Sequence, residues 1–305
     1  MTHTQPTFRP VRERRTLTVP ADGGHLAVSH WPGSGPPVVA LHGITANSLA
    51  FTALADALPH LDLYAPDLRG RAGSARLPGP YGLAAHVADT LGLLDHLGRR
   101  QAVVIGHSMG AFVAALAAAR HPERFPHVVL VDGGLAFPAP PGTDIDQLLQ
   151  AVIGPAMERL RMTFETREAY QAYFRAHPAL APHWNAHLAA YVDHDLTGRA
   201  PNLRSSCVLD AVRADGTDIL TDPEAHAALH RRQVRATFFH AERGLLDEPR
   251  ALYTPGQITT AHLDPARVST HHIPGTNHYS ILHSPTPHTV DTIRGVLDNT
   301  VLFED

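Results

Sequence analysis

The chain contains no lysine, so its 25 basic residues are all arginines. With 29 acidic residues the formal net charge is −4, and no basic stripe runs along the chain of the kind that tracks a nucleic-acid backbone. The one dense basic stretch, Arg9 to Arg15, lies next to the polar first residues and reads as a solvated tail. Cysteine is nearly absent. Cys207 stands alone, which excludes an internal disulfide, suits a reducing compartment and reads as a small apolar residue. Long apolar runs are missing too: nothing approaches the roughly 20 residues needed to span a bilayer. Met1 to Pro10 also lacks the apolar core of a secretory signal. These absences point to a cytoplasmic chain, monomer or homodimer, that engages neither membrane nor nucleic acid.

Hydrophobic residues at 44% supply enough material for a substantial core. The first half alternates short apolar runs with amphipathic segments, the rhythm of a parallel sheet flanked by helices. Arg14 to Pro20 and His25 to Trp31 read as an opening strand pair around Asp22-Gly23-Gly24. Pro37 to His42, Leu61 to Pro66, Ala102 to Gly106 and His127 to Val131 read as further strands. Helices are expected at Asn47 to Leu58, Tyr81 to Leu97 and Met109 to Arg120; the last is alanine-rich and able to approach the sheet closely.

From about Phe137 to about Leu229 no strand-like run occurs, only helical segments separated by prolines. Strands resume at Arg235 to His240 and Val268 to Pro274, and a helix from Pro287 to Leu302, capped by Thr286, closes the chain. An all-helical block inside an α/β alternation predicts a helical cap, residues 137–229, over a core made of residues 1–136 and 230–305.

Gly106-His107-Ser108-Met109-Gly110 falls where a strand meets a helix, the context in which Gly-x-Ser-x-Gly holds a nucleophile. A tight turn there projects Ser108 at the carboxyl edge of the sheet. The N-terminus of the following helix points unpaired N–H groups at any negative charge forming beside it. Upstream, Leu41-His42-Gly43-Ile44 follows the neighbouring strand, so the Ile44 and Met109 N–H groups form a candidate oxyanion hole. With 23 histidines present, position must select the base. His278, in Pro274-Gly275-Thr276-Asn277-His278 after the last strand, has the right place and the right chain order, serine first and histidine last.

These residues resemble the α/β-hydrolase superfamily in its capped, single-chain esterase, lactonase and C–C hydrolase branch, from about Arg14 to Phe303. The resemblance implies a mostly parallel eight-stranded sheet with flanking helices and an inserted helical cap. Asp67-Leu68-Arg69-Gly70-Arg71-Ala72-Gly73-Ser74 is similar to that branch's Asp-x-Arg-Gly-x-Gly-x-Ser loop, with Ala72 at the second glycine, and the resemblance assigns it structure rather than chemistry.

The usual acid position, after the strand before last, is occupied by Gly244. Some relatives, haloalkane dehalogenases and zearalenone lactonases among them, carry the acid after the strand that follows the nucleophile helix, where Asp132 stands; Asp247 and Glu242 are the alternatives. Serine rather than aspartate at position 108 disfavours epoxide-hydrolase and dehalogenase chemistry. What the resemblance implies is a serine hydrolase of a small apolar ester or lactone, with no cofactor. C–C bond hydrolysis with the same triad, or a non-hydrolytic receptor on the scaffold, are the other readings. The pairs His183/His187 and His226/His230 have helical spacing for a metal but lack accompanying carboxylate or cysteine ligands. The aromatics Phe164, Tyr170, Tyr173, Phe174, Trp184 and Tyr191 are expected mainly to form the cap's core, with one or two facing Ser108.

Overall fold

The computed structural model describes residues 12–136, 142 and 144–300. Ten strands and eleven α-helices follow one another in the described chain. The first half holds β1 (Arg15–Ala21), β2 (Gly24–Trp31), β3 (Pro37–Leu41), α1 (Thr52–Ala57), β4 (Asp62–Pro66), α2 (Leu83–His96), β5 (Val103–His107), α3 (Met109–Arg120) and β6 (Val128–Val131). The insert holds α4 (Ile145–Arg159), α5 (Arg167–Arg175), α6 (Ala186–His194), β7 (Leu196–Arg199), β8 (Asn202–Ser205), α7 (Leu209–Thr221) and α8 (Pro223–Ala227). β9 (Ala236–Ala241), α9 (Pro255–Thr260), β10 (Val268–Ile273), α10 (Ser280–His283) and α11 (Pro287–Asn299) complete the set.

Eight strands form one sheet in the order β1-β2-β4-β3-β5-β6-β9-β10, as expected. β2 runs antiparallel to both its neighbours, and every other pairing is parallel. The central strands are apolar throughout because helices cover both faces. Val39, Leu41 and Val104 join the apolar layer on one side, and Val38, Ala40, Val103 and Ile105 join the other. Small side chains let α3 lie against this sheet, with every residue from Met109 to Ala118 buried.

Three expectations are corrected. β7 and β8 pair as an antiparallel hairpin inside the block read as all-helical; two polar four-residue strands are too short to show alternation in sequence. The expected helix from Asn47 to Leu58 begins as a 3₁₀ turn, Ser48–Phe51, capped by the Asn47 side chain, before α1 starts at Thr52. Arg12 is not part of a solvated tail: its guanidinium donates to the carbonyls of Trp31 (3.0 Å), Ala55 (3.2 Å) and Leu58 (3.3 Å), where a strand and a helix end together. Arg9 and the other residues before Arg12, the cap boundary at 137, and the last residues of the closing helix, Leu302 included, lie outside the described residues. Among the described residues no helix is long and apolar enough to cross a membrane.

Candidate active site

Ser108 joins β5 to α3 with φ 55° and ψ −119°, a left-handed conformation that non-glycine residues rarely adopt and that clusters at functional sites. The flanking glycines are steric necessities. A Cβ on Gly106 would lie 2.2 Å from the Gly110 carbonyl oxygen, and one on Gly110 would lie 2.0 Å from that of Leu41. The turn is tied to the sheet by the Ser108 N–H, which donates to Val131 O at 3.0 Å. Met109 opens α3, so its N–H has no acceptor within the helix.

Asp132 follows β6, is fully buried, and has φ 47°. Both of its carboxylate oxygens are committed: Oδ1 accepts the Ala241 N–H at 3.0 Å, and Oδ2 lies 2.7 Å from His278 Nδ1. Ser108, Ile44 and His278 line one cavity. The structure thus brings together the serine, the histidine and the carboxylate from three strand ends.

The two alternative acids are elsewhere. Asp247 Oδ1 accepts from Asn277 Nδ2 (3.0 Å) and Arg243 Nε (2.9 Å), and the Asn277 hydrogen bond, followed by that of Arg243, holds its carboxyl below the ordinary range. Glu242 accepts the Gly275 N–H at 2.6 Å. Both brace the loop that carries His278, and neither is placed on the imidazole. Asn277 adds to the brace by accepting the N–H groups of Tyr279 (3.0 Å) and Ser280 (2.8 Å).

His107, inside the pentapeptide, has a role that the motif alone did not suggest. Burial drives its pKa well down, so the ring is neutral, and its Nε2–H donates to the His278 carbonyl at 2.8 Å. The residue beside Ser108 therefore anchors the backbone of the candidate base.

The strand-end loop after β3 is held by its carbonyls, and its Ala46 N–H turns back to Gly43 O at 3.1 Å. Gly43 sits against Ser108, since a Cβ there would lie 3.2 Å from Ser108 Cβ. His42 Nδ1 donates to Gly43 O at 2.8 Å while its Nε2 accepts the Leu68 N–H at 2.9 Å; burial lowers this ring to about 4, fixing the neutral form. Arg71 donates through Nε (3.0 Å) and Nη2 (2.9 Å) to Ile44 O. Arg159 of the insert reaches Thr45 O at 3.3 Å.

Arg71 is also ion-paired with Asp215 of α7 at 2.5 Å, both side chains fully buried. Burial alone would raise the Asp215 carboxyl, but His86 and Arg71 together hold it down to about 2. The loop from Asp67 to Ser74, read as purely structural, thus couples the insert to the candidate oxyanion loop. Arg71→Met is expected to lower unfolding free energy in urea by about 3 kcal/mol, because it takes the guanidinium from a buried carboxylate that keeps only the Gly82 N–H and His86.

Of the aromatics in the insert, Tyr173, Phe174 and Tyr191 line the Ser108 cavity, one more than expected. Tyr170 and Phe164 pack edge to face in the apolar cluster that also holds Val38, Ala40 and Ile105 of the sheet, not in a separate core of the insert, and Trp184 stacks under the Arg175 guanidinium. Cys207 is buried, with its thiol pushed up to about 11 by burial. His187 Nε2 lies 3.2 Å from Asp56, and His226 Nε2 donates to Ile219 O at 2.8 Å, so each spaced pair has a ring engaged elsewhere.

Comparison with known proteins gives this geometry a lineage. A family model described as the alpha/beta hydrolase fold matches residues 36–285. Lipase LipV of Mycobacterium tuberculosis is 33% identical over 129 residues, which cover 42% of this chain and 48% of that protein. A serine hydrolase-like protein of Danio rerio is 30% identical over 184 residues, 56% of each. The chain spans about half the length of these curated relatives. The crystal structure of E-2-(acetamidomethylene)succinate hydrolase superposes with a TM-score of 0.75 at 24% identity, covering 93% of this chain and 100% of that one, a likeness of fold. By the span of the family match, with the sheet order in agreement, the chain belongs to the α/β-hydrolase fold family.

Proposed function

We propose that the protein is a serine hydrolase that cleaves a carboxylic ester or lactone through an acyl-enzyme on Ser108, with His278 as base and Asp132 as acid. The observation that carries this reading is the 2.7 Å contact between His278 Nδ1 and Asp132 Oδ2 behind a serine in nucleophile-turn geometry. A buried carboxylate on Nδ1–H leaves Nε2 unprotonated and able to take the Ser108 proton.

The serine oxygen then adds to the substrate carbonyl. The resulting oxyanion is held by the N–H groups of Ile44 and Met109. His278 passes its proton to the leaving oxygen as the carbon–oxygen bond breaks. Water, deprotonated by the same ring, attacks the acyl-serine and releases the acid. Residues 137–229 act as the cap over this site, supplying Arg159, Tyr173, Phe174 and Tyr191 to its wall. Relatives whose names include a lipase and a serine hydrolase-like protein favour catalysis over a receptor role.

The test is active-site labelling. A fluorophosphonate probe is expected to modify Ser108 alone, located by peptide mass, and p-nitrophenyl butyrate is expected to turn over in excess EDTA. An unmodified protein would sink the proposal.

A further inference from the structure

Two cavities meet at Ser108, sharing Ile44, Val152, Ile153, Leu245 and His278 in their walls, and they differ in chemistry. The larger, about 270 Å³, is walled by Phe112, Leu148, Leu149, Ile219, Leu220 and Leu252. Its one phenol, Tyr253, donates to Leu135 O at 3.0 Å. Away from Ser108, Asp132 and His278, which border it at one end, a group lodged there finds hydrocarbon and would leave any polar atom of its own unpaired. At about 30 Å³ per water-sized group, 270 Å³ holds about nine heavy atoms.

The smaller cavity, about 140 Å³, presents Tyr191 and His283. Both are more than nine-tenths buried, their rings lie 4.9 Å apart, and among the described residues neither the Tyr191 hydroxyl nor the His283 ring has a hydrogen-bond partner. Neither is among the buried side-chain atoms cut off without a partner, so the hydroxyl and the ring open onto the cavity, where a bound polar group can meet them. Burial lowers His283 to about 4, which keeps the ring neutral.

The guanidinium in this wall belongs to Arg159, and it is already neutralised. It lies 2.5 Å from Asp195 and 2.6 Å from the Tyr170 hydroxyl. A ligand carboxylate would have to compete with Asp195 for it. Val152, 45% exposed, borders both cavities, but the exposed Pro155 and Leu246 border only the smaller one, so the smaller cavity takes the larger share of the mouth. A leaving group must depart through that mouth while the acyl part stays bound to the serine.

We propose, resting on the serine-hydrolase reading, that the substrate is an uncharged ester. Its straight acyl arm of about eight carbons fills the larger cavity, and its compact alcohol arm offers a hydroxyl or carbonyl to Tyr191 and His283. The acyl arm gives chain-length selectivity, and the alcohol arm gives discrimination for a hydrogen-bonding group over an isosteric alkyl group.

The experiment measures acid release by pH-stat from 2-hydroxyethyl esters of acetate, butyrate, hexanoate, octanoate and dodecanoate. It adds propyl and carboxymethyl octanoate as alcohol controls. The expected kcat/KM rises about threefold to fourfold per methylene up to octanoate and falls at dodecanoate. The 2-hydroxyethyl octanoate is expected to exceed both controls by about tenfold, and Tyr191→Phe, which leaves His283 in place, to lower its ratio to the propyl ester about threefold. Ile219→Phe, or Leu252→Phe should the helix variant not fold, is expected to lower the octanoate-to-butyrate ratio about tenfold.

A flat acyl profile, or a preference for the propyl or carboxymethyl ester, overturns the proposal. Absence of turnover in a protein whose Ser108 still takes the fluorophosphonate overturns this substrate class alone. Absence of label overturns the serine reading itself.

Discussion

Ser108→Ala is expected to reduce kcat for p-nitrophenyl butyrate by at least about 10⁴-fold while leaving the unfolding free energy within about 0.5 kcal/mol of the parent. The two halves of this expectation come from the same geometry. The strain at Ser108 is in its backbone, φ 55°, and alanine inherits it unchanged, so the turn is neither relieved nor further strained. The turn is held by the Ser108 N–H to Val131 O at 3.0 Å and by glycines that alanine does not touch. What is lost is the oxygen proposed to form the acyl bond. The Ile44 and Met109 N–H groups remain, and residual turnover above the water rate would report their contribution alone. A variant that kept a tenth of the parent's rate would show that another group carries the reaction.

How far this site could be read from the sequence depended on whether its parts were local. Ser108 was legible because the strand, the turn and the helix that produce its geometry are consecutive, with glycines at the two places where a Cβ would collide. His278 was legible from chain order. The sheet was legible because both faces of β3, β5 and β6 are covered, leaving short apolar runs with little ambiguity. The β7–β8 hairpin was not, since four residues give too little pattern to read.

The supports of the candidate oxyanion loop were hidden for a different reason. The carbonyls of Gly43, Ile44 and Thr45 are held by His42, Arg71 and Arg159, and Arg71 is in turn held by Asp215. These partners come from the strand end, the following loop and the insert, and no spacing rule connects them. His107 is a middle case. It lay in plain view in the pentapeptide, but its acceptor is the backbone of a residue 171 positions away, and only the fold supplies that.

The choice of acid is where structure adds most, and a pair of isosteric variants separates the candidates. Asp132→Asn is expected to lower kcat by about 10⁴-fold, whereas Asp247→Asn stays within about tenfold of the parent. At position 132 the orientation of the new amide is dictated by its neighbours. The Ala241 N–H, 3.0 Å from Oδ1, demands an oxygen there, so the amide nitrogen must occupy the Oδ2 site facing His278 Nδ1, 2.7 Å away. An N–H donor at that point pairs only with an unprotonated Nδ1, which moves the ring proton to Nε2 and removes the lone pair that would accept the serine proton. The proposed triad would thus be locked in the wrong tautomer with little change in shape. Asp247, by contrast, serves Asn277 and Arg243 as an acceptor, and an asparagine side chain retains one accepting oxygen for those donors. Its side chain is about one-third exposed, where a lost charge pair has small consequence. A reversed order of the two losses in kcat would move the acid to the strand before last and leave Asp132 as a structural tie between β9 and the histidine loop.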